Sequence, residues 1–283
     1  VRGQGVVRKG VARALRWFGL LEPARQAELR WRMGQPRALP DAVILGAQKS
    51  GTSSLHEYLT QHPDVIAPLR KEIHYFDLNL ARGEEWYRAH FGRVDEPGLN
   101  LDSSPYYLFH PAVPRRLHAL LPAAKLVVLL RDPVRRAYSH YWHECDKRRE
   151  TLGFEDAIDA EPGRVDAAHA RLAAGTLERS REHQHFSYLA RGRYAEQLER
   201  WFEVFPRERF HIVRFEDLAR EPLDTLNETL AFLGLPPAPS VSLEARNTRR
   251  YPPMAAGTEA RLRSHFEPHN RRLEALLSRP MGW

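Results

Sequence analysis

Ile44-Leu-Gly-Ala-Gln-Lys-Ser-Gly-Thr-Ser-Ser-Leu55 is the stretch on which the fold turns. It overlaps Asp41-Ala-Val-Ile-Leu45, a short apolar run of the kind that parallel sheets bury on both faces. It leads into residues 52–61, where Leu55, Tyr58 and Leu59 share one helical face until His62-Pro63 stops the helix. A glycine-bounded loop from strand to helix turns backbone N–H groups toward an anion, and the helix dipole adds to the attraction. Gly46 and Gly51 have the spacing of the phosphate-loop pattern G-x-x-x-x-G-K-[ST], but Thr52 stands where that pattern has lysine, and Lys49 lies inside the loop. Gln48, Lys49, Ser50, Gly51, Thr52, Ser53 and Ser54 are expected to wrap one terminal phosphate, with hydroxyls at the helix start. Lys49 would stand over that phosphate and whatever is attached to it. A glycine turn capped by Thr and Ser is the plainer alternative.

Outward from this loop, Leu99–Asp102, Lys125–Leu130 and Arg209–Val213 read as further strands. Helices are expected over residues 84–91, 112–121, 134–149, 151–180, 188–204, 221–233 and 257–277. Alternating strands and helices predict an α/β, P-loop-like three-layer fold, its mainly parallel central sheet flanked by helices. The strand Lys125–Leu130 runs into Arg131-Asp132-Pro133, which puts Arg131 at a carboxyl edge, where ligands of such sheets bind. Ser139 follows eight residues later in the next helix. Together they are expected to hold a second, separate phosphate, Arg131 as a charged fork and Ser139 as a neutral donor. With no lysine at position 52 and no acid at the end of this strand, the loop suits a magnesium-bound triphosphate poorly.

The 283 residues are 42% apolar and 28% charged, enough to bury a sizeable core. Residues 1–40 hold nine basic side chains against Glu22 and Glu28, and so carry the whole net charge of +7. That argues against a nucleic-acid-binding body. Val7, Val11, Leu15, Phe18 and Leu21 recur three or four apart, so a basic helical arm is expected over 1–40, ahead of a single domain at 41–283. The arm is expected to pack on the body or to touch a membrane surface peripherally. No apolar run long enough to span a bilayer and no signal peptide is evident, so a cytoplasmic or peripheral-membrane location is expected. Cys145 is the one cysteine and reads as an ordinary helix residue.

Gln48-Lys-Ser-Gly-Thr-Ser-Ser-Leu55 is similar to the 5′-phosphosulfate loop of sulfotransferases that use 3′-phosphoadenosine 5′-phosphosulfate (PAPS), and Arg131 through Ser139 resembles their 3′-phosphate motif. Lys71-Glu-Ile-His-Tyr-Phe-Asp77, Arg193-Tyr194 with Phe205-Pro206, and His211–Asp217 follow the heparan sulfate branch in order and spacing. The resemblance covers about residues 42–255. It implies transfer of the PAPS sulfuryl group to an acceptor hydroxyl, leaving 3′,5′-adenosine bisphosphate (PAP), with no metal required. It implies Glu72 as general base, Lys49 on the bridging oxygen, and His74 and Asp77 orienting Glu72 or the acceptor. His74, whose ordinary pKa is nearer neutrality, is the rival base. Burial that raises the Glu72 pKa would suit the base role. Arg249 and Arg250 match a basic loop that closes over the nucleotide in relatives. Ser103 stands where heparan-type relatives often carry lysine, which points away from a highly anionic polysaccharide and toward a sugar, glycolipid or natural-product hydroxyl. Tyr106, Tyr107 and Trp142 are weighed as cleft residues and read singly as core. A P-loop kinase and a non-catalytic anion-binding module are the competing readings.

Overall fold

The computed structural model describes residues 22–34, 36–238, 240–244 and 251–283. Arg249, Arg250 and the apolar positions 7 to 21 of the arm lie outside them. Five strands, β1 (Ala42–Gly46), β2 (Val65–Ile66), β3 (Leu99–Ser103), β4 (Lys125–Leu130) and β5 (Phe210–Arg214), form one sheet in the order β2-β3-β1-β4-β5. Every pairing is parallel.

Strand periodicity explains the layers. Val43 and Leu45 of β1 and Leu126, Val128 and Leu130 of β4 face one core, shared with Leu117, Leu198, Trp201 and Leu273 from helices Val113–Leu120, Tyr194–Phe202 and Ala256–Leu277. The alternate residues Ala42, Ile44, Val127 and Leu129 face the other, with Leu55 and Leu59 of helix Thr52–Leu59 and Leu226 and Leu230 of helix Pro222–Leu233. Both faces of the central strands are therefore dry, as their unbroken apolar runs predict.

Where the elements differ from expectation, local chemistry gives the reason. The predicted helix 151–180 breaks into Phe154–Asp159 and Glu161–Ala173, with Pro162 in the first turn of the second piece. The Glu161 carboxylate is drawn inward, accepting from the Leu189 and Ala190 N–H groups at 2.6 and 2.7 Å. The predicted helix 188–204 starts only at Tyr194, after a tight turn at Ala190–Gly192. Gly192 sits so close to Phe266 that a Cβ there would lie 2.6 Å from the ring. The two-residue β2 leaves no periodic trace in the sequence.

The described part of the arm lies on the body. Helix Pro23–Arg32 buries Ala27, and Arg30 donates to the Phe91 carbonyl at 3.5 Å. Arg37 donates to the same oxygen at 3.0 Å, and the Ala38 N–H to Gly92 at 3.0 Å. Among the described residues no helix is long and apolar enough to cross a membrane.

Candidate active site

From β1 the chain crosses to β2 and β3 on one side, and later to β4 and β5 on the other. The switch falls between β1 and β4, where parallel sheets open a crevice at their carboxyl ends. The loop after β1 lies there. The Ala47 N–H bonds the Leu129 carbonyl at 2.7 Å, and Ser50 N–H closes a turn onto Ala47 at 3.2 Å. Lys49 and Gly51 have φ of 70° and 88°, both left-handed. A Cβ on Gly51 would stand 2.9 Å from the Phe215 ring, so the turn and the close approach both require glycine. The first helical bond runs from Leu55 N–H to the Gly51 carbonyl at 3.1 Å. The N–H groups of Thr52, Ser53 and Ser54 precede that ladder and form the positive end of the helix.

Arg131 reaches the loop from the end of β4. Its Nη1 donates to the Lys49 carbonyl at 3.0 Å, and its guanidinium lies 4.6 Å from the Phe215 ring centre. Burial lowers its pKa from the ordinary arginine value, but it stays cationic at neutral pH. Gln48, Lys49, Gly51, Thr52, Ser53, Ser54, Glu72, Arg131, Ser139 and Tyr251 line one cleft of about 650 Å³. That volume is in the range of nucleotide-sized ligand sites. Ser139 Oγ and the Tyr251 hydroxyl lie 3.4 Å apart on its wall.

Residues 71–77 form the other wall. The Glu72 N–H bonds the Ser103 carbonyl at 2.9 Å, His74 N–H the Ser104 hydroxyl at 3.2 Å, and Tyr75 N–H the Tyr107 hydroxyl at 2.8 Å. These bonds hold Glu72 and His74 at φ of 63° and 55°, conformations that cost side-chain-bearing residues about 1–2 kcal/mol each. The result is a row of alternating charge. Lys71 Nζ lies 2.9 Å from Glu72 Oε1, His74 Nε2 3.7 Å from Glu72 Oε2, and His74 Nδ1 2.7 Å from Asp77 Oδ2. Burial works against the Glu72 charge, but the hydrogen bonds and charges of His74 and Lys71 outweigh it and hold the carboxyl well below the usual range. Burial likewise disfavours the His74 cation, yet Asp77 and Glu72 raise its pKa to about 9.

A second cavity of about 330 Å³ adjoins the first, walled by His74, Tyr106, Arg191, Glu144, Arg149 and His185. Gln48, Glu72, Pro105, His143 and Lys147 line both. Glu72 therefore stands at the junction of an anion-binding cleft and a smaller polar pocket. Residues 39–256 match the family model for the Sulfotransferase domain. The chain belongs to the PAPS-dependent sulfotransferase family.

This sulfotransferase is 33% identical to a crystal structure of a sulfotransferase from Alicyclobacillus acidocaldarius, with a TM-score of 0.70 over 86% of this chain and 97% of that one. Human heparan sulfate glucosamine 3-O-sulfotransferase 6 is 30% identical over 87% of this chain and 74% of its own length. The membrane-associated sulfotransferase kil1 of Dictyostelium discoideum is 27% identical over 88% of this chain and 68% of its own. The family match begins at residue 39, so most of the basic arm lies outside it.

The sulfotransferase fold gathers the loop residues, Arg131, Ser139, Glu72 and His74 around the paired cavities. Ser50 is the loop residue set back from them, fully buried beneath the turn. Asp77 and Ser103 line neither of these two cavities. Asp77 is 2% exposed beneath His74, and Ser103 is wholly buried in β3, where only its carbonyl serves the site by anchoring Glu72. Tyr107 is core, as read singly; Tyr106, also read as core, is instead a wall of the second cavity. Trp142 stacks on Tyr251, 6.0 Å between ring centres, outside the cavity linings. Cys145 is half-buried in helix Pro133–Asp146. The favoured upward shift of the Glu72 pKa is reversed, because two cations flank the carboxylate. Arg191, His143 and Lys147 went unnoticed in the sequence. The one local signal was their place within or beside segments already singled out, Arg193-Tyr194 and the helix carrying Ser139.

Proposed function

We propose that this sulfotransferase moves the sulfuryl group of PAPS to a hydroxyl of a sugar, glycolipid or natural product, with Glu72 as general base. The observation that carries the reading is the position of Glu72 at the junction of the two cavities, beside the loop 48–54. The loop amides with Thr52 and Ser53 would hold the 5′-phosphate, Arg131 and Ser139 the 3′-phosphate, and the second cavity the acceptor. Glu72 would accept the hydroxyl proton as the acceptor oxygen bonds to sulfur and the bond to the 5′-phosphate oxygen breaks, in line. Lys49 and the positive helix end would take up the charge left on PAP.

His74 is the weaker candidate base. A pKa near 9 leaves it protonated at neutral pH, whereas Glu72 is held as an ionised carboxylate. His74 and Asp77 then orient Glu72 and balance its charge. Thr52 in place of a loop lysine and Arg131 in place of a strand-end acid support a reaction that needs no metal.

The test is transfer from radiolabelled PAPS to a panel of glycans, lipids and phenols, run with and without EDTA, beside calorimetry with PAP. Glu72→Gln should lose about 10²–10⁴ of turnover, the usual worth of a general base, while binding PAP nearly as wild type does. Wild-type turnover by this variant removes Glu72 from the role. A strict metal requirement refutes the metal-free reaction, and ATP in place of PAPS would return the chain to the kinase reading.

A further inference from the structure

Arg191 is 2% exposed, yet its guanidinium meets no carboxylate among the described residues. Its Nε donates to the Ser187 hydroxyl at 2.7 Å and its Nη2 to the Gln184 carbonyl at 2.5 Å. Its face lies 4.7 Å from the Tyr106 ring centre and 5.2 Å from that of Phe109. The remaining arm, Nη1, donates to Oε1 of Gln48 across 143 residues of sequence. Burial pushes its pKa down to about 10, so it still carries its charge at neutral pH. Burying a cation among neutral acceptors is costly unless its N–H groups are satisfied, and here the acceptors are aimed at it from two segments, residues 183–187 and Gln48.

The bond to Gln48 fixes more than a distance. A guanidinium can only donate, so the amide oxygen of Gln48 must face Arg191. The amide NH2 is thereby turned the other way, and among the described residues it has no protein partner. Gln48 lines both cavities and neighbours Lys49, so this oriented pair of donors opens on the junction where Glu72 also stands.

We infer that Gln48 donates its amide N–H groups to the oxygens of the transferred sulfuryl group, and that Arg191 is the positioning residue that locks Gln48 in the donating orientation. The assignment deepens the PAPS reading above and rests on it. A neutral donor suits a group that arrives and leaves as an anion: it binds the oxygens without trapping the sulfated product as a second lysine would. The Arg191 charge, offset only at longer range by Glu144 and Glu161, stands behind that amide and favours its oriented dipole.

PAPS and PAP differ by the sulfuryl group alone, so their two affinities isolate the contact. Calorimetry with each nucleotide on wild type, Gln48→Glu and Arg191→Lys tests it, with melting curves alongside. In Gln48→Glu the new carboxylate keeps Arg191 as its partner, so the fold should hold. The N–H donors are replaced by an oxygen facing the sulfuryl oxygens. PAPS affinity should fall about tenfold or more, while PAP affinity moves by no more than about threefold, since only the charge-assisted contact to the sulfuryl is inverted. Arg191→Lys loses the fork and should show the same selective loss. If that variant melts, Gln48→Glu still decides. Equal changes for both nucleotides in Gln48→Glu, or none, overturn the assignment. Failure of wild type to bind PAP at all overturns the donor-site reading itself, a distinguishable result.

Discussion

At the scale of single residues, the site is a problem in balancing charge. In the proposed role of base, Glu72 would have to be ionised to accept a proton, and not so strongly paired that it could not. Lys71 and His74 hold it ionised, so acid inactivation through Glu72 should set in only well below the ordinary glutamate range. His74 carries the complementary cost. Its pKa in the fold, about 9, exceeds its ordinary value, so the fold binds this proton more tightly than the unfolded chain does. The stabilisation is complete below about pH 6.5, the unfolded value, and is lost as pH rises through about 9. Wild type should therefore lose melting temperature between about pH 7 and pH 10 by this route, whereas His74→Asn should start lower and show a flatter slope over that interval. Parallel slopes for the two proteins would mean that His74 is not held as a cation between Glu72 and Asp77.

At the scale of elements, the loop after β1 depends on a backbone turn that only glycine makes cheaply. Gly51 is left-handed and lies against Phe215, on which Arg131 also rests. Gly51→Ala should cost about 1–2 kcal/mol from the positive φ alone, with more from displacing the ring. Because Phe215 supports both the loop and Arg131, PAP affinity should fall together with the melting temperature; loss of stability without loss of affinity would uncouple the two. Much of this was legible in the sequence. β1 and β4 are nearly unbroken apolar runs and so read directly as buried parallel strands, β3 and β5 are legible as short strands despite their polar residues, and the loop and the Arg131–Ser139 pair are contiguous motifs. What the sequence hid depends on distance along the chain. β2 has too few residues for a period, the start of helix Tyr194–Phe202 is set by Phe266 against Gly192, and Arg191 meets Gln48 only in the folded molecule. The burial of Asp77 and Ser103 was hidden as well, because the pattern names neighbours in sequence without telling which of them face inward.

At the scale of the whole molecule, two features outside the reaction have measurable consequences. His110, His169 and His183 cluster behind Tyr106, with His183 within 2.6 Å of its hydroxyl and 2.9 Å of His169. Burial lowers their pKa values to about 3, 4 and 2, so all are neutral in the fold. The unfolded chain takes up these protons near pH 6.5, hence stability should fall as pH drops below about that value. Replacing the half-buried His169 with phenylalanine should soften the fall between about pH 7 and pH 5, read from melting curves; an unchanged slope would assign acid lability elsewhere. The second feature is the arm. Its nine basic residues account for the net charge, and positions 1–21 hold five of them with no acid, interleaved with Val7, Val11, Leu15, Phe18 and Leu21. That pairing of apolar and basic positions suits an anionic lipid surface, where each cation is worth about 1 kcal/mol near the headgroups. We expect the full chain to co-sediment with vesicles containing phosphatidylserine and not with phosphatidylcholine alone, with binding that weakens as salt is raised. Deleting residues 1–21 should abolish sedimentation yet leave PAP affinity intact, because the family match begins at residue 39 and the described cleft draws nothing from the arm. Loss of both together would tie the arm to the donor site, and binding by the deleted chain would move the lipid contact onto the body.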